Sequence, residues 1–199
     1  MKLYKFRSLE NFDRIVDILV NKKFYLSKWN SLNDPMEGYF HYIIFGTDII
    51  YKDKIERFIS DKNELRICSF TNAYHPILLW AHYANQHKGI AIEVTLNSRK
   101  YENLFKVKYG KNIPELNFDS NPKPYDVLSS KIKHWSYERE YRIIDKPEFI
   151  SFGEITGVYF GINTDNYQKT IIKDLLNNLI STYETKIDFN KNIIVPIYS

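Results

Sequence analysis

Short apolar runs set off by polar turns constrain this chain more than any other feature. Residues 65–70, 89–94, 157–161 and 193–198 are each too short for a core helix and suit buried strands. Between them lie segments of a different period. Leu9, Phe12, Ile15, Val16 and Leu19 recur at helical spacing, as do Tyr167, Ile171, Leu175, Leu176, Leu179 and Ile180, and residues 49–61 predict an amphipathic helix. Strands and helices do not alternate strictly, which predicts an α+β fold with a mixed or mainly antiparallel sheet flanked by helices. The 199 residues suffice for a single globular domain over 1–199 without metal or disulfide support.

Composition narrows the function classes. With 44% hydrophobic and 26% charged residues the chain is globular in character. Its single cysteine, Cys68, excludes an internal disulfide and falls inside an apolar run, as a small core residue would. The opening residues lack the apolar stretch of a signal peptide, and nowhere do about eighteen apolar residues run together, so a cytoplasmic protein without a membrane partner is expected. The 28 basic and 24 acidic residues leave a net charge of +4, a weak nucleic-acid signal. Lysines at 106, 108, 111, 123, 131 and 133 fit a solvated face, or a phosphate path leading toward the late glutamates.

Local patterns place the polar residues. Residues 2–6 predict a strand, with Ser8 capping the following helix and Arg7 at the junction. A second short strand is expected at 24–27 and an ordered loop at 30–35, where Asn33, Asp34 and Pro35 read as an Asx turn and nothing more. Pro76 suits the first turn of a helix reaching about His87 and carrying Trp80, His82 and Tyr83. Further strands are expected at 101–109 and 138–144, a helix at 127–133, and a mobile loop over a site at 110–124.

Three separated stretches carry chemistry. On a strand Glu138, Glu140 and Arg142 share one face; two neighbouring carboxylates push each other's protonation apart, which suits one ionised group and one acid/base partner. The same spacing also fits a solvent-facing ladder of ion pairs. Arg7 has a guanidinium fork able to grip a diphosphate, and Ser69 and Thr71 share a strand face from which to hydrogen-bond a ribose or amide. His75, His82, His87 and His134 lack the spacing of a helical zinc site, so no metal is expected.

Taken together, the residues Tyr4 to Ser8, Leu26-Ser27 with Asn33 to Glu37, Cys68 to Thr71 with Leu79 to Ala84, His87 to Ile92, and Lys131 with Trp135 and Glu138 to Arg142 resemble the bacterial domain-of-unknown-function family numbered 2971 over nearly the whole chain. Leu32 and Met36 stand where that family usually has Phe. A second resemblance is to ADP-ribosyltransferases of the arginine–serine–glutamate type, whose motifs occur in this order; Phe70 replaces the usual small residue between the two hydroxyls, and a helix directly after the serine motif is unusual there.

These resemblances imply an effector of a phage-defence or toxin system that uses NAD as substrate, with a neutralising or sensor protein as partner and a protein or nucleic acid as acceptor. Glu140 and Glu138 would then be catalytic, while Arg7, Ser69, Thr71, Tyr83 and Arg142 would contact NAD and Trp80, His82 or Trp135 would stack on a ring. Two other readings compete. One is a nuclease effector built on Asp34, Glu37, His82, Glu138 and Glu140; the other is a sensor that binds a nucleotide or phage protein without turnover.

Overall fold

Alternation along the first strand shows how the chain divides its core. Leu3 packs on one side of the sheet and Tyr4 and Phe6 on the other, so each face acquires its own apolar cluster. The structure, a computed structural model, describes residues 1–43, 48–96 and 101–197, with side chains 48–50 left aside. Its strands are β1 Lys2–Arg7, β2 Lys23–Tyr25, β3 Ser27–Lys28, β4 His41–Ile43, β5 Arg66–Thr71, β6 Ile90–Thr95, β7 Leu104–Lys106 and β8 Lys108–Gly110. They continue with β9 Glu115–Asn117, β10 Ser130–Ile132, β11 Glu140–Asp145, β12 Phe149–Ser151, β13 Glu154–Phe160, β14 Ser181–Asp188 and β15 Ile193–Ile197. The helices are α1 Phe12–Leu19, α2 Asp48–Glu64, α3 Ile77–Tyr83, α4 Pro124–Leu128 and α5 Asn166–Leu176.

The main sheet runs β15-β14-β13-β6-β1-β5-β11-β7, with β3 added beside β5. Every pairing is antiparallel except β13 with β14, so the fold is α+β with a mixed, mainly antiparallel sheet. On one face Leu3, Ile92, Val94 and Phe70 pack with Ile15 and Ile18 of α1 and Ile172 and Leu176 of α5. On the other, Tyr4 and Phe6 meet Leu79 and Trp80 of α3. Cys68 is buried in the first cluster, as its apolar surroundings predict. Among the described residues no helix is long and apolar enough to cross a membrane.

Several local expectations are corrected. Ser8 does not cap α1, which starts at Phe12; its hydroxyl instead accepts the Glu10 amide. The helix after Pro76 ends at Tyr83 because Asn85, Gln86 and His87 all take positive φ. Residues 101–109 form two strands, β7 and β8, which belong to different sheets. The 110–124 segment is no loop over a site: β9 pairs with β4, and Leu116 and Phe118 are buried against Tyr51 and Phe58 of α2. Of residues 127–133 only Val127 and Leu128 are α-helical, as the end of α4; residues 130–132 form β10, parallel to β8, and Lys133 opens a 3-10 helix. Strand β14 had no clear signature, since its polar-rich, mostly half-buried residues lack an apolar run. The last strand ends at Ile197, and Tyr198 lies outside the described residues.

One buried carboxylate belongs to the scaffold. Glu93 of β6 accepts from Tyr4 and Tyr159 at 3.0 Å each and from Thr156 at 2.7 Å, with the exposed Lys2 ammonium at 2.9 Å. Burial raises its proton affinity, but these donors together bring it below the ordinary carboxylate range. A carboxyl depressed in the folded state adds stability above its unfolded value near 4.5, and that contribution is lost as pH falls through the folded value. Glu93→Ala is expected to cost roughly 3 kcal/mol by orphaning two phenols. Urea denaturation at pH 7 and pH 4 should show the gap between variant and native protein shrinking at the lower pH.

Candidate functional site

A break in strand pairing creates the site. β1 and β5 share a single Cα pair, Tyr4 with Thr71, and further along β5 the ladder is taken over by β3, through Ser27 with Ile67 and Lys28 with Arg66. The wedge left between β1 and β3 opens a cavity of about 350 Å³, within the roughly 300–1,000 Å³ of small-molecule sites. Inside it the Ser69 carbonyl has no β1 amide opposite, and Lys5 Nζ donates to it at 2.6 Å instead. Both faces of β1 reach the wedge, so Tyr4 and Phe6 line it together with Lys5 and Arg7.

β11 provides the opposite wall. Its register sets Glu140 beside Thr71 and Arg142 beside Ser69, and alternation then brings Ser69, Thr71, Glu140 and Arg142 to one face. Glu138 arrives differently from the expected strand. It ends a 3-10 helix, Lys133–Glu138, and Arg139 at φ 47° turns the chain into β11, which starts at Glu140. The carboxylates therefore share the cavity without sharing a strand.

Buried charges at this wall form a closed network. Arg142 is 1% exposed and spends all five guanidinium hydrogens: Nε and one Nη2 hydrogen on Glu140 (2.8 and 3.1 Å), two on Glu37 (2.6 and 2.8 Å), and one on the Leu128 carbonyl (2.7 Å). Lys131, also buried, bridges the two late glutamates at 2.6 Å from Glu138 and 3.4 Å from Glu140. Tyr83 hydrogen-bonds Glu138, and Asn33 in turn donates to the Tyr83 hydroxyl at 2.9 Å. Three carboxylates thus share two cations.

The network separates the two protonation equilibria. Burial pushes Glu140 up, yet the Arg142 and Lys131 charges override it and hold the carboxyl at about 2. For Glu138 burial prevails over the pull of Lys131, and the neighbouring Glu140 charge adds to it, so its proton affinity is raised. One carboxylate is kept ionised while the other is disposed to take a proton.

The β1 wall is the electrostatic complement. Among the described residues neither Lys5 nor Arg7 has a carboxylate within ion-pair distance, and the buried Nε of Arg7 has no hydrogen-bond partner. Burial lowers both groups, Lys5 to about 8. Gly89 lets the end of this strand close onto β6, since a Cβ there would stand 2.1 Å from the Arg7 carbonyl oxygen.

Of the residues singled out from sequence, Arg7, Ser69, Thr71, His82, Tyr83, Glu138, Glu140 and Arg142 line this one cavity. Their availability differs. Thr71 turns its hydroxyl to the Ala73 amide at 3.2 Å, and Arg142 has no hydrogen left for a ligand, so it holds Glu140 rather than NAD. Trp80 is corrected to a core residue: it is fully buried, donates to the Tyr74 carbonyl and meets Phe6 edge-on. Trp135 lies outside the lining and covers the Lys131 ammonium at 4.6 Å.

Lys5 and Asn33 had no role of their own in the expected site, Lys131 entered only as one of several lysines on a solvated face or phosphate path, and Glu37 only in the nuclease reading. Lys5 had a usable signal, because alternation places it on the same face of β1 as the buried Leu3; Lys131 sat within a lysine-rich stretch that reads as solvated. The carboxylates of the nuclease reading are already engaged, Glu37 and Glu140 by Arg142 and Asp34 by the Met36 amide. Among the described residues no three His, Cys, Asp or Glu side chains are grouped to hold a metal ion. Comparison with known proteins found no matching family model, no matching curated protein and no matching solved structure.

Proposed function

We propose that this cavity binds NAD and that the protein is an ADP-ribosyltransferase-like enzyme acting as an effector in bacterial defence or toxicity. The observation that carries this reading is the pairing of two unneutralised cations, Lys5 and Arg7, with a split carboxylate pair across one cavity. A ligand satisfying both walls bears an anion at one end and hydroxyls or developing positive charge at the other, as a dinucleotide does. The orphaned Nε of Arg7 fits a phosphate oxygen as acceptor.

When bound, NAD supplies a glycosidic bond whose cleavage releases nicotinamide with the bonding electron pair and leaves positive charge on the ribose. Glu140, held ionised, faces that charge and stabilises it as it develops. Glu138, with its raised proton affinity, takes the proton from the attacking hydroxyl of the acceptor or of water. Arg7 and Lys5 hold the diphosphate, and the Ser69 hydroxyl hydrogen-bonds the nicotinamide side.

One observation favours a second reading, a sensor that binds a nucleotide without turnover: Glu140 is already neutralised by Arg142 and Lys131. Incubation with labelled NAD separates the two. Released nicotinamide supports the enzyme, saturable binding without release supports the sensor, and absence of both ends the NAD reading. Binding of ADP-ribose carries a further expectation. Lys5 is protonated below about 8, so its attraction for phosphate is present there and lost above it. Calorimetry between pH 7 and pH 9 should show affinity falling about tenfold, and Lys5→Arg should abolish that pH dependence.

A further inference from the structure

The loop carrying Asn33, Asp34, Pro35, Met36 and Glu37 reads as a turn in sequence, yet it touches the supports of both carboxylates. Glu37, only 3% exposed, grips Arg142 through both oxygens at 2.6 and 2.8 Å, and Arg142 grips Glu140. Asn33 donates to Tyr83, which bonds Glu138. The loop itself is firmly built. Asp34 is buried and accepts the Met36 amide at 2.9 Å, and the Glu37 amide donates to the Asp34 carbonyl at 3.0 Å. At its far end Lys62 of α2 donates to the Gly38 carbonyl at 2.5 Å, while Gly38 takes φ +72° with the Trp29 ring where a Cβ would stand.

We infer that this loop is the positioning element of the carboxylate pair, with Glu37 acting through Arg142 on Glu140 and Asn33 acting through Tyr83 on Glu138, so that it sets which of the two holds the proton. The catalytic meaning rests on the reading proposed above, but the positioning itself does not. Glu138 faces Lys131 of β10, Tyr83 of α3, Glu140 of β11, Tyr109 of β8 and its neighbour Tyr137. Glu140 faces Arg142, Lys131, Ser69, Glu138, Tyr109 and Lys5. Within this set the loop reaches only two members, Tyr83 and Arg142, one for each carboxylate.

The two arms predict opposite effects. With Asn33 removed, the Tyr83 hydroxyl is less polarised and a weaker donor to Glu138, so the carboxylate is less stabilised and Glu138 titrates higher. With the Glu37 charge removed, Arg142 serves Glu140 alone, Lys131 is freed toward Glu138, and Glu138 titrates lower. The test follows the Glu138 carboxyl by carbon NMR as a function of pH in the native protein, Asn33→Ala and Glu37→Gln. Shifts of about half a pH unit or more in opposite directions are expected. Shifts in one common direction, as general loosening would give, overturn the inference, as does no shift in Asn33→Ala. Asn33 is exposed, so its variant keeps the test open if Glu37→Gln does not fold. Nicotinamide release is then measured in parallel, with a fall of about a hundredfold expected for a folded Glu37→Gln. If opposite titration shifts occur while no form releases nicotinamide, the positioning role stands and the NAD reading falls; if the native protein releases nicotinamide and the titrations do not move, the positioning role falls alone.

Discussion

Arg142→Met is expected to destabilise the protein by about 3–5 kcal/mol, because it leaves two buried carboxylates without their shared cation. Arg142 joins Glu37 from the loop to Glu140 on β11, all three nearly inaccessible to water. Methionine fills similar volume, so the loss is electrostatic more than steric. The pH dependence should identify the cause. In the native protein Glu140 has a folded value of about 2 against an unfolded value near 4.5, so it stabilises above 4.5 and that contribution drains away as pH falls toward 2. Without Arg142, burial raises Glu140 above its unfolded value, and the penalty is greatest near neutrality and is relieved by acid. Denaturation curves from pH 7 to pH 3 should therefore approach one another. Neutralising the carboxylates as well, in Arg142→Met with Glu37→Gln and Glu140→Gln, should recover much of the loss, since a neutral set no longer needs the cation.

Glu140→Gln is expected to lower nicotinamide release by about a hundred- to a thousandfold while leaving NAD affinity nearly unchanged. The amide occupies the same volume and keeps one of the two acceptors that face Arg142, but in the proposed reaction it cannot oppose positive charge forming on the ribose. An effect confined to turnover marks an interaction made only in the transition state. Equal release by native and variant protein removes Glu140 from the mechanism. Glu138→Gln separates the carboxylates further: in the proposed reaction this group takes the acceptor proton, so transfer to an acceptor should fall more than bond cleavage.

The carboxylate pair shows how partial a reading of spacing is. Glu138 and Glu140 stand two apart, which on a strand would put them on one face, and both do reach one cavity. They reach it from a 3-10 turn and a strand, because Arg139 adopts a left-handed conformation that no residue-by-residue propensity announces. The 110–124 segment erred for a related reason. Its prolines and polar residues look mobile, whereas Leu116 and Phe118 find partners on α2, more than fifty residues earlier. Lys131 reads as one surface lysine among several until Glu138 and Glu140 enclose it.

Local patterning determined the α+β class and the buried strands around Cys68, Ile92 and Val158, because periodicity acts over a few residues. The trio Arg7, Ser69 and Glu140 stood out for side-chain chemistry taken together with the resemblance to ADP-ribosyltransferases, not for spacing. Only the tertiary structure decided that β1 and β5 part after one register pair to leave a cavity, that Arg142 holds a glutamate rather than a ligand, and that a turn at Asn33 to Glu37 supports both carboxylates. These draw on contacts 50 to 105 positions apart, Asn33 with Tyr83, Tyr83 with Glu138 and Glu37 with Arg142, where burial sets the strength of a charge and no local pattern records its partner.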